Sequence, residues 1–186
     1  MSDQIQNPVI RLTERELHRL LFHELVRYAG SEVLDRSDEL MPSIEVASTR
    51  LKGAVRFLKE YAGMNFFDSL TAVDLIRVGS GYEYTPPRRF CLIYQFLCLP
   101  DCSTVNLKVF LPDQNPSVDS IQSLFGNAEW HEREVHDLFG IDFSFHLALY
   151  PLLLPEGWDG FPLRKDYWQS GTALGLPVAR VEGGRA

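Results

Sequence analysis

The chain is expected to fold as a two-layer α+β domain, with helices packed on a mixed β-sheet, followed by an extended and irregular C-terminal arm. This expectation depends on two amphipathic helix patterns, on several strand-like segments after them, and on a change of composition after Gly140. A length of 186 residues suits one domain with a tail. We therefore expect the α+β domain over residues 1–140 and the arm over residues 141–186.

The first element is a predicted helix that begins after Thr13. Thr13 and Glu16 have the spacing of a capping box, in which each side chain satisfies a free backbone amide of the first turn. Five apolar residues then share one helical stripe, and Gly30 marks the end of the helix. The following residues 32–47 are interrupted at Met41-Pro42, which fits two short strands or a strand and a loop.

A second helix and three strands are predicted downstream. The helix is amphipathic over residues 51–62 and ends at Gly63. Residues 66–78 favour a strand with irregular alternation, and residues 105–111 alternate as in a strand with one packed face. Residues 90–99 are apolar on both faces, which is typical of a central strand that is covered on both sides.

A third helical region is predicted from Ser117 to Phe139, with a break at Gly126. After Gly140, prolines and glycines exclude a long regular element, while Trp, Tyr, Phe and Leu remain frequent. Because a loose tail in water would avoid such side chains, we expect the arm to lie on another surface.

Composition excludes several classes of protein. A net charge of −7 gives no basic surface for general nucleic-acid binding, and a hydrophobic content of 45% excludes a disordered chain. No segment reaches the ~18 apolar residues of a membrane helix. The N-terminus resembles no targeting peptide, and three cysteines argue against a disulfide scaffold. A soluble protein of a reducing, cytosolic compartment is therefore expected.

The segment from His131 to His136 suggests a zinc-protease helix, but its spacing argues against one. Zinc-binding histidines on a helix need a separation of four residues, and here it is five, which sets the side chains roughly 140° apart. His146 could supply a third ligand only from beyond Gly140. We expect instead that Glu129, Arg133 and Asp137 form a ladder of ion pairs along one helix face.

Other catalytic and cofactor motifs are missing from the sequence. The cysteines Cys91, Cys98 and Cys102 lack the spacing of a metal motif, and no glycine-rich phosphate loop or nucleophile elbow occurs. The residues alone therefore indicate a domain without a catalytic or cofactor site of its own.

One run of residues closely resembles a family signature. Residues 130–141 contain Glu-Arg-Glu and, two residues later, Asp137, which two apolar residues follow. A spacer of six residues then leads to His146. Pro155-Glu156-Gly157-Trp158 and Pro162-Leu163-Arg164-Lys165-Asp166-Tyr167 continue the pattern. This pattern resembles the 30 kDa subunit family, also called the C type, of the proton-translocating NADH:quinone oxidoreductase, respiratory complex I. The chain departs from it at Tyr150, where the family usually has a basic residue or proline, and at Pro151, where the family has a basic residue.

The resemblance implies a non-catalytic scaffold subunit in the peripheral arm of that complex, on the cytoplasmic side of the bacterial cell membrane. It implies that FMN and iron–sulfur clusters belong to partner subunits, and that the main partner is the large subunit of the quinone pocket. Structural and interface roles are implied for the signature residues, including docking of the arm on a partner by the last three. These residues are Glu132, Arg133, Glu134, Asp137, His146, Arg164, Lys165 and Asp166.

Three alternatives remain at the level of sequence. The same scaffold role could serve a membrane-bound hydrogenase or a coenzyme F420H2 dehydrogenase, since related chains occur in both. A free-standing protein-binding adaptor and a zinc hydrolase using His131, His136 and His146 are hypotheses from other functional classes.

Overall fold

A computed structural model of the chain describes residues 14–29, 33–36, 43–76, 88–99, 102–167, 172–173 and 176–177. Three α-helices occur in these ranges: α1 (Glu14–Ala29), α2 (Leu51–Glu60) and α3 (Ala128–Phe139). A 3₁₀ turn at Ser48–Arg50 leads directly into α2.

Nine strands accompany these helices within the same ranges. In chain order they are β1 (Val33–Arg36), β2 (Ser43–Val46), β3 (Phe66–Asp74), β4 (Phe90–Cys98), β5 (Ser103–Leu111), β6 (Ser117–Asp119), β7 (Asp142–Ser144), β8 (Thr172–Ala173) and β9 (Leu176–Pro177).

A five-stranded mixed sheet with the order β1-β2-β5-β4-β3 forms one layer of the domain. Adjacent strands of this sheet are antiparallel except for β2 and β5, which run parallel, with Ile44 of β2 paired to Leu107 of β5. The α+β architecture with a mixed sheet packed by helices is thus confirmed. Residues 32–47 form the two short strands β1 and β2, which is the first of the two alternatives that the sequence left open.

The hydrophobic core lies between one face of the sheet and the helices. On β4 the even-numbered residues point into it, and they pair with odd-numbered residues of β5, as Tyr94 does with Leu107. Phe67 of β3 brings the rings of Phe96 and Phe125 together, with centroids at 5.4 and 6.1 Å from its own. The opposite face is only half-buried along much of β4, so the prediction of a strand covered on both sides holds at its start and fails towards its end.

The third helical region is the main error of the sequence interpretation. Residues 117–119 form the strand β6, which pairs in parallel with β7, and the helix α3 begins only at Ala128. The intervening residues are held in turns because Glu132 of α3 accepts hydrogen bonds from Ser120 and Ile121. A tertiary contact of this kind overrides local helix preference.

The helix ends agree with their predicted signals where they are described. Gly63 follows α2 with a φ of +70°, and Gly140 caps α3 in the left-handed conformation. The capping residue Thr13 and the terminator Gly30 lie outside the described residues. Among the described helices none is long and apolar enough to cross a membrane. The proposed boundary at residue 140 stays a prediction.

Candidate functional site

The charged residues of α3 differ in where they point. Glu132, Arg133 and Asp137 are buried, whereas Glu134 is exposed. Among the described contacts of α3, no ion pair joins Arg133 to Glu129 or to Asp137, so the predicted ladder along the helix face is wrong. The buried side chains instead bind backbone groups of other segments, since a buried charge needs partners that fully satisfy it.

Asp137 holds the chain after Pro151 through a single oxygen. Its Oδ2 accepts hydrogen bonds from the backbone N–H groups of Leu152, Leu153 and Leu154, at 3.1, 2.7 and 2.8 Å. Three convergent amides form a nest for an anion, and a carboxylate is the group that matches it. This side chain therefore fixes the backbone of a segment within the predicted arm.

Arg133 holds the preceding two residues. Its Nε and one terminal nitrogen donate to the carbonyl oxygens of Tyr150 and Pro151, both at 3.2 Å. The guanidinium also lies over the Tyr150 ring, 3.9 Å from the centroid, and 5.0 Å from the Trp130 ring. Arg133 thus contacts both positions at which the chain departs from the family pattern.

Glu132 and His146 meet in the interior. Glu132 accepts hydrogen bonds from the Ser120 hydroxyl at 2.6 Å and from the Ile121 N–H at 2.8 Å, and its Oε2 lies 3.9 Å from Nε2 of His146. Burial raises the pKa of Glu132 to about 7, although both hydrogen bonds act in the opposite direction. The buried hydroxyl of Tyr94 has its pKa raised by burial and further by the charge of Glu132.

His146 closes the loop after β7. Its Nδ1 accepts from the N–H of Ala148 at 3.1 Å, and its Nε2 lies 3.3 Å from the carbonyl oxygen of Glu129. One nitrogen accepts and the other donates, which is the pattern of the Nε2–H tautomer. The spacer of six residues after α3 therefore places His146 in contact with Glu129 and Glu132 of the same helix.

Arg164 fastens the next part of the chain to the C-terminus of α3. Its Nε donates to the Phe139 carbonyl at 2.6 Å, and a terminal nitrogen lies 3.3 Å from the Gly140 carbonyl oxygen. A cation at the end of a helix also complements its dipole. Phe161 packs so closely against Gly140 that a Cβ there would come within 2.4 Å of its ring.

A second buried centre surrounds Arg89. Its guanidinium donates to both oxygens of Asp74, at 3.2 and 2.9 Å, to Asp113 at 2.6 Å and to Asp166. Asp74 also accepts from the N–H groups of Ile76 and Lys165 at 3.0 Å each. Burial favours a raised pKa for Asp74, but these hydrogen bonds outweigh it and lower the pKa below its ordinary value.

Arg164 and Asp166 thus contact the domain of their own chain, and Lys165 does so through its backbone N–H. Their predicted docking on a partner stays a prediction. The sequence interpretation missed Asp74, Arg89 and Asp113 as members of this centre. No motif in the sequence marks them, because Arg89 comes beside Asp74 only through the register of β3 against β4, in which Asp74 pairs with Phe90.

The three histidines of the zinc alternative go to separate places. His131 packs edge-on against the Phe67 ring at 5.4 Å, His136 bonds through Nδ1 to the Ile141 carbonyl at 2.9 Å, and the side chain of His146 is buried beside Glu132. Within the described part of the chain no group of three or more His, Cys, Asp or Glu residues could hold a metal ion. Cys91 is buried, Cys98 is half-buried and Cys102 is exposed.

Comparisons with known proteins identify relatives of this chain. The family described as "Respiratory-chain NADH dehydrogenase, 30 Kd subunit" matches residues 44–173. The C-type chain of the NADH-quinone oxidoreductase of Citrifermentans bemidjiense is 33% identical, with 86% of each chain covered. A fused C/D chain of the NADH-quinone oxidoreductase of Psychrobacter arcticus is 35% identical over 78% of this chain, which spans only 25% of that longer protein.

A solved structure agrees with these relatives. The trypsin-resistant fragment (1–134) of Nqo5 has a TM-score of 0.57 and 29% identity, covering 72% of this chain and 98% of the fragment. The family match includes every element from β3 to β8 and all the buried charged residues described above. The chain therefore belongs to the 30 kDa, or C-type, family of subunits of the respiratory-chain NADH dehydrogenase.

Proposed function

We propose that the chain is a non-catalytic scaffold subunit in the peripheral arm of an NADH:quinone oxidoreductase, on the cytoplasmic side of a bacterial membrane. The observation that carries the proposal is the use of its buried charges. Glu132, Arg133 and Asp137 bind backbone groups and hold residues 120–121 and 150–154 against α3, and the half-buried Arg164 binds the carbonyls of residues 139–140 at the end of that helix. Such bonds build a rigid surface and engage no reactant.

The nearest partner in this proposal is a subunit of the D type. Relatives such as the Psychrobacter arcticus protein carry C and D in one polypeptide, which keeps the two parts in one assembly. FMN and iron–sulfur clusters would then be held by partner chains, with NADH as the electron donor and a quinone as the acceptor. The chain itself would contribute shape and contacts.

Affinity purification of the tagged full-length chain from mildly solubilised membranes tests the proposal. We expect a multisubunit assembly with bound FMN, iron–sulfur clusters and NADH:quinone activity, including a D-type chain. An assembly that reduces or oxidises hydrogen instead would replace the donor and keep the scaffold role. Recovery of the chain alone from the soluble fraction would refute membership of any such assembly.

A further inference from the structure

Glu132 lies in an interior site that several elements of the fold close off from water. Its side chain and that of His146 are both fully buried, with 3.9 Å between Oε2 of the glutamate and Nε2 of the histidine. The Ser120 hydroxyl, from the turn after β6, donates to the same Oε2 at 2.6 Å. Tyr94 of β4 and Lys52 of α2 interact with the carboxylate electrostatically. These groups share one water-excluded site, so the ionisation of one affects the others.

The site stabilises the neutral form of Glu132. Hydrogen bonds from Ser120 and Ile121 and the charge of Lys52 favour the carboxylate, but burial outweighs them and raises the pKa to about 7. The buried hydroxyl of Tyr94 has no hydrogen-bond partner in the part of the chain that the structure describes, so it does not donate to the carboxylate. At neutral pH and above, the closed site therefore holds an unfavourable buried charge unless water reaches it.

One wall of this site is held less firmly than the others. It consists of residues 145–148, which we call the cover segment. Phe145 has a φ of +64°, in the left-handed region that a bulky residue rarely adopts, and Phe145 and Leu147 are 80% and 87% exposed. The other walls are the core strand β4 and the helix α3, which carry most of their apolar side chains inside the fold. A segment with little buried apolar surface opens at a lower cost in free energy than such elements do.

His146 connects the cover segment to Glu132. Its Nδ1 accepts the N–H of Ala148 at 3.1 Å, and its Nε2 lies 3.3 Å from the Glu129 carbonyl oxygen. A second proton on the ring would have to sit on Nδ1 and would break the bond to Ala148. The histidine therefore cannot become a cation beside the carboxylate while the cover segment is closed. Closure of the segment and ionisation of Glu132 thus oppose each other.

We propose that Glu132 and His146 form a pH-dependent latch on the cover segment, which is closed while Glu132 carries its proton and opens when that proton is lost. The inference concerns the chain itself and does not depend on the proposed function. In the open form water reaches Glu132, and its pKa approaches the ordinary value of 4.5. Between this value and about 7 the open form binds fewer protons than the closed form, so the open population rises with pH, by up to about tenfold for each pH unit. Above this window it becomes constant.

Amide hydrogen exchange of the purified full-length chain, followed by NMR, measures the opening. The protection of an amide is the rate expected for an unstructured amide at the same pH divided by the observed rate. We expect the protection of the Ala148 amide to fall about 40-fold from pH 5 to pH 7. The Leu92 amide of the central strand β4 reports global unfolding and should be far better protected at every pH. Equal protection of both amides would mean that the cover segment opens only when the whole chain unfolds, which would overturn the proposal.

Two glutamates of α3 provide a variant and its matched control. Glu132→Gln cannot ionise, so the protection of the Ala148 amide is expected to stay within about twofold from pH 5 to pH 7. Glu134→Gln alters an exposed side chain of the same helix and should behave as the wild type does. A constant protection of Ala148 in the wild type, or the same fall in Glu132→Gln, would refute the latch.

Lys52→Met tests the direction of the effect in a chain that keeps both members of the latch. The charge of Lys52 favours the ionised form of Glu132, so its removal is expected to move the fall in Ala148 protection to higher pH. A fall at the same pH as in the wild type, or at lower pH, would contradict control of the cover segment by Glu132. This measurement decides the matter even where Glu132→Gln fails to fold.

Discussion

Buried carboxylates and guanidinium groups define this protein at the scale of single residues. The buried Glu132 and Asp137 accept hydrogen bonds from backbone N–H groups of other segments, and the buried Arg133 donates to backbone carbonyls, as does the half-buried Arg164. A buried charge that loses its partners is costly, so each side chain makes one local arrangement much more stable than its alternatives.

The raised pKa of Glu132 makes stability depend on pH. Its pKa is about 7 in the folded chain against 4.5 for a free side chain, so between these values the unfolded state binds fewer protons and stability falls as the pH rises. The loss amounts to about 3 kcal/mol from pH 4 to pH 8. Glu132→Gln cannot titrate, so its stability relative to wild type should rise by that amount over the same range.

Urea unfolding of both proteins at several pH values measures this difference. Groups distant from residue 132 contribute alike in both proteins, so their contributions cancel when the two curves are subtracted. A difference that stays constant from pH 4 to pH 8 would mean that Glu132 ionises in the folded chain as it does in water.

Arg89 and Arg88 are adjacent but should differ greatly in their contribution to stability. Arg89→Ala leaves Asp74 buried without its cation, so we expect a loss of about 3–5 kcal/mol. Arg88→Ala breaks an ion pair with Glu45 in which the arginine side chain is 41% exposed, and it removes the stacking of Arg88 over the Phe110 ring, so it should cost only about 1–2 kcal/mol. Chemical denaturation of the two variants gives both values, and similar losses would contradict the assignment of Arg89 as a buried centre.

At the scale of elements, α3 joins the domain to the segments that follow it. The carbonyl oxygens of Phe139 and Gly140 accept hydrogen bonds from the Arg164 side chain. The carbonyl oxygen of Leu138 accepts a hydrogen bond from the N–H of Leu163 at 3.1 Å. The helix terminus can approach this segment closely only because Gly140 has no side chain.

Substitution of glycines tests this close approach. Gly140→Ala would set a Cβ within 2.4 Å of the Phe161 ring at a φ of +66°, so we expect it to destabilise the chain by about 2–4 kcal/mol. Gly126→Ala is the matched control, since nothing lies within 4 Å of its added Cβ, and it should change stability by less than about 0.5 kcal/mol. Thermal unfolding of the two variants measures this difference. Equal melting temperatures would contradict a close approach of Phe161 to Gly140.

Sequence patterns predicted elements well where they depend on local periodicity. The helices α1 and α2 and the strands β3 to β5 follow apolar spacing that is visible in the chain itself. The strand β6 was missed because its pairing with β7 joins residues distant in the chain, as Ser117 pairs with Asp142. Only tertiary contacts select that pairing over a longer helix.

The candidate site was predicted by position but not by chemistry. The family signature indicated Arg133 and Asp137, and both are buried as a fold determinant would be. Spacing suggested that they pair with each other, whereas their partners are backbone groups of residues 150–154, which carry no mark in the sequence. Backbone partners of a side chain become predictable only when the path of the chain is known.

At the scale of the whole molecule, the domain holds residues 150–154 against its own helix α3. In the proposed function the surface built in this way holds neighbouring subunits in place, while the reactions occur in partner chains. A scaffold residue is therefore expected to change the amount of assembled complex, whereas a catalytic residue would change the activity of each assembled complex.

The most direct test uses the double variant Arg133→Ala/Asp137→Ala in the full complex. Membranes are solubilised, and the assembled complex is quantified by its bound FMN and assayed for NADH:quinone activity. We expect the amount of complex to fall several-fold, because residues 150–154 lose their anchors, while the activity per FMN stays within about twofold of wild type. A normal amount of complex, whether its activity per FMN is unchanged or strongly reduced, would contradict the scaffold account.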